Sequence, residues 1–208
     1  RPGVMLRSLL AMYLVVPLLA LSAVKLLQLP TGLELALVVL AISAGAPMLP
    51  RKLMRLGNEE YVISLVIVSS LLAIVTVPAW LLLLGPRFDR LEALDPATVA
   101  GVLGKSFLLP MLLGIAVRWF LPDASARLSD VLLKFVGIVF SACALLLLAT
   151  HWQVVGAILG PPILALGGFT LAALGVGHLM GGPDPNDRTA LAVTCATRHV
   201  GVAMVIAA

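Results

Sequence analysis

The 208-residue chain reads as an all-α integral membrane bundle, on three observations. Hydrophobic residues make up 61% of it and charged residues 12%, with a mean hydropathy of +1.12, whereas a soluble domain carries roughly 25% charge. Asp, Glu, Lys and Arg are absent from 8–24, 35–50, 61–86 and the 49 positions from 135 to 183. The apolar stretch from Thr189 to Ala208 holds a single charged side chain, Arg198. A guanidinium near the bilayer midplane costs at least a few kcal/mol, so an intramembrane charge ordinarily has a function.

An α-helix needs about 20 apolar residues to cross the hydrocarbon, and the charge-free intervals therefore set the spans. Seven are expected, at about 4–27, 33–56, 61–84, 98–120, 131–149, 154–179 and 188–208, forming one transmembrane unit. The 135–183 interval is long enough for two helices and turns most simply at Thr150–Gln153. Pro17, Pro78 and Pro110 stand singly inside spans one, three and four and read as kinks. The glycines of span six, from Gly156 and Gly160 through Gly167, Gly168, Gly175 and Gly177, read as close helix packing, because no polar group accompanies them. The chain begins Arg-Pro-Gly and stops within the seventh span, as a piece of a longer protein truncated at both ends would.

The net charge of +4 takes its meaning from distribution, not from an affinity for nucleic acid. With seven spans, one side collects Arg1, Arg7, Arg51, Lys52, Arg55, Arg118, Arg127, Lys134 and Arg188, while Lys25, Arg87, Arg90 and Lys105 fall on the other. The positive-inside rule makes the Arg1 side cytoplasmic in a multi-pass cell-membrane protein. All ten acids lie in loops or at span ends, so no Asp or Glu is expected deep in the membrane. Cys143 and Cys195 form no metal-spacing motif. An intramembrane enzyme would need a nucleophile with its base, a paired acid or a metal cluster, and no such set sits at matched depth.

Two spans carry interruptions. Ser43-Ala44-Gly45-Ala46-Pro47-Met48-Leu49-Pro50 sets a glycine and two prolines into span two, and Thr194, Thr197, Arg198 and His199 with Gly201 interrupt span seven. Unpaired backbone groups at membrane depth are tolerated only where they face protein or a water-filled cavity. Both interruptions therefore read as cavity-lining.

This order of features resembles the sodium/bile acid symporter family, matching helices three to nine of a ten-helix protein. The resemblance is carried by the broken span two, by Gly57-Asn58 opening a long helix with Ser69-Ser70 and Thr76-Val77-Pro78, and by Arg188-Thr189-Ala190-Leu191-Ala192 leading to Gly201-Val202-Ala203. It implies a transporter bundle of inverted repeats whose two broken helices cross near the midplane, which agrees with the general placement of transporter sites. Where sodium-binding relatives carry oxygen ligands, this chain has Met48-Leu49, Val62, Val66 and Thr194-x-x-x-Arg198-His199. Hard cations are not held by such side chains, so no metal or cofactor is expected, and sodium coupling at the usual sites is doubtful.

The resemblance implies a secondary transporter of a small organic anion. Its substrate would lie between Gly45, Ala46, Pro47 and Met48 on one side and Thr194, Thr197, Arg198 and His199 on the other. Arg198 takes the place of a family sodium ligand and would serve as a stand-in for the ion or as the anion's partner. His199 is the candidate for proton coupling. An arsenite or auxin-efflux-type carrier of the same superfamily, or a membrane sensor that binds without transporting, are the alternatives.

Overall fold

A computed structural model describes residues 2–27, 29–43, 58–88, 91, 94–150, 152 and 160–198. Among these residues the fold is helical, in seven helices. The first, α1, runs over Pro2–Leu27 and contains a π-helical turn at Ala11–Val15. It is followed by α2 (Thr31–Ile42), α3 (Glu59–Leu84) with a 3-10 turn at Gly85–Arg87, and α4 (Pro96–Phe120). The last three are α5 (Pro122–Thr150), α6 (Pro161–Met180) and α7 (Pro185–Ala196). By length and apolarity α1, α3, α4 and α6 can each cross a membrane, and Thr31–Ile42 and Lys134–Thr150 are shorter apolar helices.

Local chemistry accounts for the helix ends. Asn58 caps α3 by accepting from the Glu60 amide at 3.1 Å, and Asp184 caps α7 by accepting from the Asn186 amide at 2.9 Å, with Pro185 at the first helical position. Both are side-chain oxygens satisfying amides that a first turn leaves unpaired. Asp95 caps α4 more fully, accepting from the Ala97 and Thr98 amides and from the Thr98 hydroxyl at 2.6 Å. The Thr98 hydroxyl, then the two amides, hold the Asp95 carboxyl below the usual carboxylate range. The cap's contribution is thus present at neutral pH and lost as pH falls through that lowered value.

Helix α5 differs from its apolar stretch by starting at Pro122, so that Asp123, Arg127 and Asp130 lie on its first turns. The reason is local: Pro122 suits a first position, and no further proline interrupts the run to Thr150. The near ends of both expected interruptions are described. Helix α2 stops at Ile42 with Ser43 extended, and α7 stops at Ala196 with Thr197 extended. Gly45, Ala46, Pro47, Met48 and His199 lie outside the described residues, as do Gly156 and the Thr150–Gln153 turn apart from Thr150 and Trp152.

The chain divides into two compact units, 1–105 with 165–208, and 106–164. The first holds the main core. There α1 packs on α2 and α3, and α7 touches α3 and the π turn. Ala11, Met12, Val16 and Ala20 of α1, Leu37, Val38 and Ile42 of α2, Val62, Leu65, Ala73 and Val77 of α3, and Ala190, Leu191 and Cys195 of α7 are buried. Within the second unit α5 exposes large apolar side chains such as Phe135, Ile138 and Leu145, which in hydrocarbon carries no hydrophobic penalty.

Of the described span-six glycines, only Gly177 shows the close approach expected of packing. A Cβ there would lie 2.5 Å from the Ala192 Cα and 2.7 Å from the Leu191 carbonyl oxygen. One turn later Gly181 approaches the Arg188 backbone in the same way. Gly160, Gly167, Gly168 and Gly175 have nothing within 4 Å of the equivalent point. The close approach of α6 and α7 thus rests on a glycine pair four residues apart, half of which was not singled out by sequence.

Candidate functional site

The site is built from a proline. Pro17 has no amide hydrogen, so the Tyr13 carbonyl, four residues earlier, loses its helical donor. The backbone answers by shifting register, and the Val16 N–H donates to the Ala11 carbonyl, five residues back, closing the π turn. That shift also strips the Met12 carbonyl, whose α-helical donor would be Val16 and whose π-helical donor would be Pro17. Two adjacent carbonyls, of the buried residues Met12 and Tyr13, are thereby released, and in a membrane each must find another donor.

Side chains from distant helices supply them. Trp80 of α3 donates its indole Nε1–H to the Tyr13 carbonyl at 2.9 Å. Arg198 donates from Nη2 to the Met12 carbonyl at 3.2 Å and from Nη1 to the Ser43 carbonyl at 3.1 Å. The Ser43 carbonyl is available because α2 ends there: the Ser43 amide still donates back to Val39, but the residue itself is extended. The Tyr13 hydroxyl donates to the Ser69 carbonyl of α3, and the Ser69 hydroxyl to that of Val66 at 3.1 Å. The Met12 and Ser43 carbonyls thus hold the guanidinium of a residue that is only 6% exposed, and Tyr13, Ser69 and Trp80 form the adjoining network. Its Nε is buried with no hydrogen-bond partner among the described residues.

Among the sequence-predicted site residues, Arg198 donates to the Ser43 carbonyl at the end of α2. Thr194 is buried and Thr197 half-buried, and their hydroxyls donate to the carbonyls of Ala190 at 2.7 Å and Val193 at 2.6 Å. Their protons are committed to the backbone, and their lone pairs remain to accept. Gly45, Ala46, Pro47, Met48 and His199 fall outside the described residues.

Val62 stands where the family resemblance puts a sodium ligand. It is 1% exposed and packs against Ala190, with Tyr61 and Val193 beside it. Val62 and Ala190 offer only methyl groups here, which do not fit a hard cation, and the Tyr61 hydroxyl is bonded to Ser8.

Sequence reasoning missed Met12, Tyr13 and Trp80. The one available signal was Pro17, which orphans the Tyr13 carbonyl wherever a helix runs through it. Asp187 was read as a span-end acid, yet it is 1% exposed in the first turn of α7. Close by, the half-buried Tyr61 hydroxyl pairs with Ser8 at 2.7 Å, and Ser8 itself donates to the Val4 carbonyl.

Four membrane-length apolar helices among the described residues define a multi-pass membrane protein. Comparison with family models makes the class specific: the chain belongs to the sodium bile acid symporter family, whose model matches residues 1–158. Membership makes it a secondary transporter and not an enzyme. The matched stretch contains the π turn, Ser43 and Trp80 and stops before α6 and α7, so Arg198 and the Arg188–Ala203 element lie beyond it. No curated protein matches the chain.

Proposed function

We propose that this transporter carries a small organic anion, bound between Gly45–Met48 and Thr194–His199 with Arg198 as its charge partner, and that sodium does not drive it at the family's usual sites. The observation that carries the reading is the buried Arg198 guanidinium, held on two carbonyls with Nε left to donate. A carboxylate or sulfonate oxygen at Nε would complete its hydrogen bonding and neutralise a charge that is costly to bury. Thr194 and Thr197 can accept from hydroxyl or amide groups of the substrate, and His199 is the group that can couple a proton. The interrupted spans two and seven are taken to cross near the midplane as parts of inverted repeats, within seven spans.

Absence of sodium coupling is supported by Val62 and Ala190, which fill with apolar contact a place where oxygen ligands would be needed. Uptake of a small organic anion into proteoliposomes should therefore be nearly unchanged when choline replaces sodium at constant ionic strength. A tenfold loss, about 1.4 kcal/mol of coupling, would overturn the reading.

The loop charges further support a cytoplasmic Arg1 side. In a Cys-free background on intact cells, an impermeant thiol reagent should label a cysteine placed at Glu92 and spare one at Arg55. The reverse pattern would refute this orientation.

A further inference from the structure

We propose that the Met12 and Ser43 carbonyls form a seat for a monovalent guanidinium-type cation, created by Pro17 and occupied by Arg198 as a tethered ion. The inference deepens the reading of Arg198 as the charge of the transport site: it assigns the two Nη groups to the protein and leaves Nε for the anion.

Three features carry it. The Met12 carbonyl is stripped of both possible helix donors, since Val16 is bonded to Ala11 and residue 17 is proline. The Ser43 carbonyl is presented where α2 stops, so two helix backbones turn an acceptor toward one point. Trp80 holds the neighbouring Tyr13 carbonyl at 2.9 Å, which keeps the turn from closing into α-helix around an unsatisfied oxygen. π turns within helices occur frequently at functional sites, and this one exposes an acceptor that a regular helix would keep.

A planar cation suits such a seat. Guanidinium carries its donors in a rigid fork and is more weakly hydrated than an ammonium, so it can bridge two separated carbonyls at low desolvation cost. A tethered occupant has a functional consequence: the positive charge that balances the anion stays with the protein throughout the transport cycle. The anion's own gradient, exchange for a second anion, or a proton coupled through His199 then supplies the driving force.

The test is chemical rescue. Purified Arg198→Ala protein should gain thermal stability with millimolar methylguanidinium and gain nothing from urea, its neutral planar counterpart, or from sodium at equal ionic strength. Methylguanidinium at ten times its dissociation constant would raise the folding equilibrium constant about elevenfold. The parent protein, its seat filled, should not respond. Equal shifts in parent and variant, or rescue by urea or sodium, would overturn the seat.

Pro17→Ala gives a second test that does not require Arg198→Ala to fold. Restoring the amide at position 17 lets Met12 and Tyr13 re-enter the helix ladder. Although removing a proline from a helix ordinarily stabilises it, this variant should melt below the parent and bind anions more weakly. A melting temperature at or above the parent's, with unchanged anion affinity, would refute the inference. Failure of the anion reading is separately visible, because rescue by methylguanidinium is measured without any anion substrate and would persist.

Discussion

Arg198→Met should lower stability by about 2–4 kcal/mol and strongly weaken anion binding. Methionine fills a similar volume but donates nothing, so the Met12 and Ser43 carbonyls lose their partners together. A stranded buried acceptor costs roughly 1–3 kcal/mol. Relief of the guanidinium's desolvation and burial of an apolar chain offset part of that sum. Anion affinity should fall by about 2–5 kcal/mol, the range seen when one partner of a buried charge pair is removed. Arg198→Lys separates charge from shape, because an ammonium keeps the charge and loses the fork. It should recover part of the anion affinity and little of the stability. Thermal melts of the three proteins, with and without a small organic anion, give both quantities. Three indistinguishable proteins would mean that Arg198 is merely a tolerated charge, and the proposed site would fall with it.

Gly177→Ala should destabilise by roughly 3 kcal/mol, at the upper end of ordinary overpacking. The added methyl would meet the Ala192 Cα at 2.5 Å and the Leu191 carbonyl oxygen at 2.7 Å. These are backbone atoms, so no rotamer change can absorb the clash and α7 must move away from α6. Because α7 delivers Arg198 to the Met12 and Ser43 carbonyls, anion binding should weaken along with stability. Gly175→Ala is the matched control. Nothing lies within 4 Å of its Cβ position, and alanine's better helix propensity is worth up to about 1 kcal/mol, so this variant should melt at or slightly above the parent. If both substitutions behave alike, close packing of α6 on α7 at Gly177 is excluded.

The contrast between these glycines shows where sequence reading loses resolution. Gly167, Gly168, Gly175 and Gly177 share a composition and a helix, and nothing local separates them. Only the path of α7 selects one of them as a contact. Asp187 is a similar case: its place after Asp184-Pro185-Asn186 marks it as a helix-start acid, but its burial is set by the helices packed around it.

What the sequence determined by itself was the membrane class, the helical composition and the presence of a lone charge, Arg198, in an apolar stretch. Charge-free intervals and hydropathy are properties of contiguous chain, and a lone guanidinium among apolar residues is costly in any fold. Pro17 likewise sufficed to free the Tyr13 carbonyl, because the missing amide is a covalent fact. The tertiary structure alone decided what those groups meet. Arg198 and Met12 are 186 positions apart, and Trp80 and Tyr13 are 67 apart. A carbonyl released by local chemistry accepts from whichever donor the packing of α2, α3 and α7 against α1 brings within about 3 Å. No spacing along the chain encodes that donor.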